Sequence, residues 1–316
     1  MELKRIVFMG TPQFAIPTME LLTETRFFPV ICITQPDKPK GRKQRLASPE
    51  VKTKALKLNI PVIQPEDVNS TEMISKLKEI NPDIIITVAY GDSLKKEIRK
   101  LPKFGCINLH PSLLPKYRGP APINYVLFNG DKTTGNTVFK ITAKMDAGPI
   151  IHQSEINIED NENYTELYER LSKIGAEDIL KVLEIIEKEG LYTRPQDHSK
   201  VTFSHKIMKE DTFIDWSKPV KEIRNKVRSL AETPGAVASF RNSRIKIIEV
   251  EILNKKTNLI PGEIVEVIKN KGIVVATADN DILLRRVQPS GKKIMTSHAF
   301  SLGARIESGE KFSNGF

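Results

Sequence analysis

Four short, almost unbroken apolar runs, separated by helix-length stretches, restrict the fold of this 316-residue chain more than any other feature. RIVFM at 5–9, PVICIT at 29–34, DIIITVA at 83–89 and CINL at 106–109 lack the regular apolar–polar alternation of a strand with one wet face. Strands buried on both faces belong to a mostly parallel sheet with helices packed on either side. The segments between them fit that plan. Pro12 is placed to open a helix, and 70–80 reads as a helix with Ser70 as its cap. A short strand at 61–63, a helical stretch at 122–128 and a strand at 136–141 complete the pattern. From 164 to 186, Tyr164, Leu167, Tyr168, Leu171, Ile174, Ile179, Leu183 and Ile186 fall on one helical face. The first half is therefore expected to be an α/β, Rossmann-like domain.

The character then changes. GLYTRPQDHSK at 190–200 is polar, with Gly190 and Pro195, and reads as a linker. Beyond it an amphipathic helix near 219–230 precedes strands at 235–241, 244–253, 262–268, 272–278 and 281–287, joined by short Gly or Asn turns. That pattern predicts a smaller antiparallel β-barrel of the oligonucleotide-binding kind, the OB-fold. The expected division is 1–189, a linker at 190–204, and 205–316, and the length accommodates two cores.

Charge is unevenly placed. The chain carries +10 overall, and residues 35–57 hold eight basic residues against two acidic ones. Pro36, Pro39, Gly41 and Pro49 punctuate this stretch, so a loop over about 35–50 is expected to project from the sheet edge and not to pack as a helix. Residues 203–316 add 20 basic and 13 acidic residues. A basic loop joined to a basic barrel suggests a clamp on a nucleic-acid backbone, although a charge run also commonly just faces solvent. Cys32 and Cys106 lie inside predicted strands and read as small core residues, in keeping with a reducing cytoplasm. The apolar start meets Thr11-Pro12 after one strand's length, unlike a signal peptide, and no apolar run has membrane-spanning length.

Chemistry points to NLHPSLLPKYRGPAPI at 108–123. Asn108 and His110 are two apart in a strand, so both side chains face the same way at its carboxyl end, where open α/β sheets hold ligands. Both can donate to one oxygen, and the imidazole can move a proton near neutral pH. Donors aimed at a developing oxyanion accelerate acyl transfer. A His packed at a strand end beside an Asn capping a turn would show the same residues. Pro111, Pro115 and Pro120 stiffen the loop that follows, and Leu113 and Leu114 would line a ligand or fold back on the core. Asp146, in KMDAGPI, reaches the same sheet edge if the preceding strand runs parallel to 106–109; an antiparallel strand removes that argument. An Asp there would orient His110, and Asp-Ala-Gly also makes a plain turn. The chain shows no G-x-G-x-x-G, P-loop, G-x-S-x-G or metal-ligand spacing, and its other histidines are scattered.

These residues carry a resemblance. N-L-H-P-S-L-L-P-K-Y-R-G-P-A-P-I resembles the signature of the formyltransferases that use 10-formyltetrahydrofolate. V-F-M-G-T-P-Q-F-A, T-Q-P-D-K-P-K-G-R-K, M-D-A-G at 145–148, R-P-Q-D at 194–197 and I-D-W-S-K-P at 214–219 extend it over the chain, toward the branch acting on methionyl-tRNA. The resemblance implies a cytoplasmic, monomeric enzyme that formylates initiator methionyl-tRNA for translation initiation, with 10-formyltetrahydrofolate as cosubstrate and no metal. It assigns catalysis to Asn108, His110 and Asp146, and folate contact to Ser112, Leu113, Leu114 and Pro115. tRNA contact falls to Lys38, Lys40, Arg42, Lys43 and Arg45, joined by the C-terminal domain. Two departures stand out: Pro149-Ile150-Ile151 follows the M-D-A-G, and Ala231-Glu232-Thr233-Pro234-Gly235 lacks a Trp before its Pro-Gly. A formyltransferase for a sugar nucleotide or another small amine would share the trio, as would a formyl-folate hydrolase. A noncatalytic RNA-binding module on the same fold would not need it.

Overall fold

The structure is a computed structural model describing residues 2–41 and 44–314. The chain forms two compact units. The first comprises Met1–Pro122, Thr133–Asn157 and Tyr168–Ser204. The second comprises Ile123–Lys132, Ile158–Leu167 and His205–Phe316.

The elements up to residue 189 are β1 (Ile6–Gly10), α1 (Ile16–Thr23), β2 (Pro29–Ile33), β3 (Lys38–Lys40), β4 (Arg45–Ala47), α2 (Glu50–Lys57), β5 (Val62–Ile63), α3 (Thr71–Ile80), β6 (Ile84–Val88), α4 (Lys96–Arg99), β7 (Cys106–His110), α5 (Pro122–Phe128), β8 (Thr133–Lys140), β9 (Ile150–Asn157) and α6 (Tyr164–Glu189). One sheet runs β5-β2-β1-β6-β7-β8-β9. Its first five strands are parallel, as the apolar runs require. Strands β1, β6 and β7 are wholly or almost wholly buried.

Helices cover both faces. Val7, Met9, Ile31, Ile33 and Cys106 share a cluster with Met73 and Leu77 of α3 and Ile98 of α4. The alternate residues face α6. A Cβ on Gly175 would lie 2.5 Å from Leu109 Cδ2, so the absence of a side chain there lets the helix approach the sheet. Since neighbours along a strand point oppositely, Asn108 and His110 share the face of Cys106. Helix α3 starts as expected: Ser70 Oγ accepts from Met73 N at 3.2 Å.

Two expectations change here. Strand β8 pairs antiparallel with β7, Lys140 lying opposite Ile107 and Thr137 opposite His110. The strand before Asp146 thus runs away from the sheet edge at which His110 lies. Strand β9, absent from the sequence reading, then pairs antiparallel with β8. Its residues are mostly half-exposed, and a single wet strand has little apolar signature to read.

The expected linker is part of the first unit. Arg194 and Ile150 exchange backbone hydrogen bonds of 2.7 and 2.8 Å, and Arg118 and Phe203 form a parallel bridge. The basic loop is a small ribbon in which Lys38 pairs with Ala47 and Lys40 with Arg45. At its base the Asp37 carboxylate accepts from Gln64 Nε2, Lys52 Nζ and Ser48 Oγ at 2.7–3.0 Å. These bonds, that from Gln64 foremost, hold the Asp37 pKa below its ordinary value.

The second unit adds α7 (Val220–Leu230), β10 (Ala236–Phe240), β11 (Ser243–Ile252), β12 (Ile264–Ile268), β13 (Gly272–Val275), β14 (Ile282–Pro289), β15 (Met295–Thr296), α8 (Ser297–Ala304) and β16 (Phe312–Ser313). Its antiparallel sheet runs β12-β13-β14-β11-β10-β16. The ends of that path meet: Ile264 N donates to Glu310 O at 2.7 Å and Phe312 N to Gly262 O at 2.8 Å. The sheet thereby curls into the expected barrel, and the join covers edges that would otherwise recruit other strands. Val220, Ile223, Val227 and Leu230 line one face of α7 against Trp216, Ile247, Leu284 and Phe312. Each such buried aliphatic side chain contributes roughly 1.5–3 kcal/mol of transfer free energy. No helix among the described residues is long and apolar enough to cross a membrane.

Candidate active site

Asn108 and His110 sit in the last three residues of β7, on the same face of the sheet. Thr87, the cross-strand neighbour of Asn108 on β6, donates its hydroxyl to Asn108 Oδ1 at 2.6 Å. Asn108 is partly exposed, and its Nδ2 makes no hydrogen bond among the described residues.

His110 is only 5% exposed, and its ring is oriented by backbone. Nε2 lies 2.9 Å from the carbonyl oxygen of Tyr117. A carbonyl can only accept, so Nε2 carries the hydrogen and a neutral ring has its lone pair on Nδ1. Nδ1 lies 3.7 Å from Asp146 Oδ2, beyond hydrogen-bond length. Tyr117 reaches the ring from a left-handed conformation, φ 58°. Asp146 is held likewise at φ 48°. Such conformations cost on the order of 1–3 kcal/mol each and cluster at functional sites.

Asp146 therefore arrives by the turn-rich loop at 141–149, and not by strand direction. Gly119 N donates to its Oδ2 at 2.8 Å. Gly119 has φ 119°, and a Cβ there would lie 2.1 Å from the Ser204 carbonyl oxygen, so no larger residue fits. Two groups that sequence reasoning passed over complete the surroundings. Arg118 is 6% exposed and donates from Nε (3.1 Å) and Nη2 (2.6 Å) to Gln196 Oε1. Burial pushes the Arg118 pKa down, and the Asp146 charge opposes that shift. Gln196 Nε2 donates in turn to the carbonyl oxygens of Asp146 and Gly148, at 2.8 and 2.7 Å.

The proline-rich loop is stapled to β8. Thr137 Oγ1 donates to Ser112 O at 2.6 Å and accepts from Leu114 N at 3.1 Å, and Gln153 Nε2 donates to Leu114 O. Ser112 is fully buried, its Oγ bonded to Lys116 O. Leu114 packs with Phe139 and Ile150. Leu113 and Pro115 keep part of their surface open. In the basic ribbon Lys38 and Arg45 are exposed. Arg42 and Lys43 lie outside the described residues, as does the side chain of Lys40.

A carboxamide and an imidazole thus stand at the carboxyl end of β7, with a carboxylate 3.7 Å from the imidazole, and such groups can in principle donate to an oxyanion and carry a proton. Residues 4–183 match the family model "Formyl transferase", and 206–305 match "Formyl transferase, C-terminal domain". The chain is 41% identical over 310 residues to the methionyl-tRNA formyltransferase of Sulfurihydrogenibium sp. (strain YO3AOP1), covering 98% of this chain and 99% of that one. It is also 41% identical over 307 residues to that of Bacillus subtilis (strain 168), covering 97% and 96%. The chain belongs to the formyl transferase family, in its methionyl-tRNA formyltransferase branch. Among solved structures, methionyl-tRNA formyltransferase from Clostridium thermocellum shares the fold at TM-score 0.57 and 20% identity, over 80% of this chain and 96% of that one. An N-formyltransferase from Helicobacter canadensis, in complex with folinic acid and dTDP-3-aminofucose, does so at 0.67 and 20%, over 91% and 100%.

Proposed function

We propose that the chain transfers the formyl group of 10-formyltetrahydrofolate to the α-amine of initiator methionyl-tRNA, giving N-formylmethionyl-tRNA. Near-full-length likeness to proteins of that name supports the substrate pair. The orientation of the His110 ring supports the division of labour within the site.

Attack of an amine on a formyl carbon places negative charge on the formyl oxygen and leaves a surplus proton on the nitrogen. Asn108, its Oδ1 held by Thr87, turns its Nδ2 hydrogens to that oxygen. His110 takes the proton at Nδ1, because its Nε2 hydrogen is committed to Tyr117 O. The imidazolium so formed faces the Asp146 carboxylate, which balances its charge. The proton passes to the nitrogen that leaves with the folate as the old C–N bond breaks, so the transfer needs no other reactant. Ser112 and Leu114 anchor the loop, while Leu113 and Pro115 offer apolar surface to the pterin. Lys38, Lys40, Arg42, Lys43 and Arg45 meet tRNA phosphates, which position the acceptor end without reading sequence.

The test is formyl transfer to charged initiator tRNA by the native chain and by Asn108→Ala. The variant is expected to lose about a hundred- to a thousandfold in kcat with little change in either KM. A native chain that transfers no formyl group to methionyl-tRNA would overturn the function. An Asn108→Ala variant with native kcat would overturn the mechanism alone.

A further inference from the structure

We propose that Gln196, from the segment that reads as a linker, is a positioning residue that sets the separation of His110 and Asp146. The proposal rests on the catalytic reading of that pair. Gln196 is 5% exposed, and both ends of its amide are committed. Arg118 can only donate and backbone carbonyls can only accept, so Oε1 faces the guanidinium and Nε2 faces Asp146 and Gly148. The two carbonyls flank Ala147, so one NH2 group grips the turn on both sides of its tip.

The bonds form a ring through the site. His110 Nε2 is held by Tyr117 O; Tyr117 continues into Arg118 and Gly119. Gly119 N holds the Asp146 carboxylate, and the Arg118 side chain holds Gln196, which holds the Asp146 backbone. Residues 117–119 therefore touch His110 at one end and Asp146 at the other, and Gln196 is the member that closes the circuit. Without it Asp146, at φ 48°, loses one of the two hydrogen-bonded ties that, among the described residues, join it to residues outside its own loop, the other being that from Gly119 N. No other residue type replaces it. Glu satisfies Arg118 but sets a carboxylate against two carbonyls, Asn is one methylene short, and Leu does neither.

The experiment compares Gln196→Leu and Gln196→Glu in the native chain and in an Asp146→Ala background. Each substitution is expected to lower kcat about a hundredfold in the native background, as a displacement of about 1 Å does. Both KM values are expected to hold within about twofold, and the loss to shrink to about twofold or less when Asp146 is already absent. A merely structural role would give equal losses in both backgrounds, or a loss carried by KM, and either would overturn the proposal. Gln196→Glu keeps Arg118 paired, which protects folding if Gln196→Leu fails. A crystal structure of Gln196→Glu gives a reading independent of turnover. The proposal expects the His110–Asp146 separation to open by about 1 Å. A separation unchanged from 3.7 Å would refute it, even if the native chain proved to formylate something other than methionyl-tRNA.

Discussion

The end of β7 and the basic ribbon are the two regions to which function is assigned, and they are built in opposite ways. Around His110 nearly every polar group has a stated partner, several backbone angles are unfavourable, and Ser112, Arg118 and Gln196 are buried. The ribbon consists of two three-residue strands, exposes Lys38 and Arg45, and leaves Leu46 71% exposed. It is fastened at its root by one carboxylate. The contrast matches the two roles proposed for them. Moving a proton between fixed atoms demands positions held to a fraction of an ångström. Attracting a polyanion demands charge, which acts over several ångströms and tolerates motion.

Substitutions should separate the two regions cleanly. The largest effect is expected from His110→Ala, which should reduce kcat on the order of a thousandfold while leaving tRNA affinity and its salt dependence as they were. A parallel fall in affinity would mean that the site and the tRNA contact are not separable. Next comes Lys38→Ala combined with Arg45→Ala. Binding of methionyl-tRNA should weaken, and the slope of log K against log salt should fall by about two, with kcat at saturation retained. A loss of kcat without a change in slope would assign the ribbon a catalytic part instead.

The smallest effect is expected at the ribbon's root. Because hydrogen bonds hold the Asp37 pKa below 3.8, its contribution to stability is present above that ordinary value. It is lost as pH falls through the lower, folded-state value. The Gln64 side-chain amide signals in NMR should then titrate with a midpoint below 3.8, and lose that response in Asp37→Asn. A midpoint at or above 3.8 would detach Asp37 from the ribbon's support.

Legibility in the sequence follows the same division. The parallel strands were readable because burial on both faces leaves continuous apolar runs, and Asn108 and His110 because alternation is a property of any strand. The direction of β8 was not, since T-T-G-N-T-V-F-K serves either orientation and β9 reveals itself only through pairing. Asp146 lies 3.7 Å from His110 although β8 runs antiparallel to β7, the condition under which the sequence argument for it lapses; a left-handed turn brings it there instead. Gln196 stands in the R-P-Q-D that carries the resemblance, yet no role for it is legible, because polar residues in the stretch from Gly190 to the barrel look solvated. What they bond to is backbone, and bonds to backbone carbonyls leave no mark in side-chain patterning. Pro39 made the ribbon look like an unpaired loop, although proline is at home on a two-stranded edge.

The barrel's closure bears on the order in which the molecule can be made. Its sheet is sealed by Phe312, buried against Trp216 and Phe240, and by the bonds linking Gly262 to that strand. While the nascent chain is still shorter than 312 residues, β10 and β12 present open edges and Trp216 lacks its aromatic partner. Synthesis from the amino end leaves the barrel waiting for its last strand, and that interval is when an exposed edge is open to mispairing.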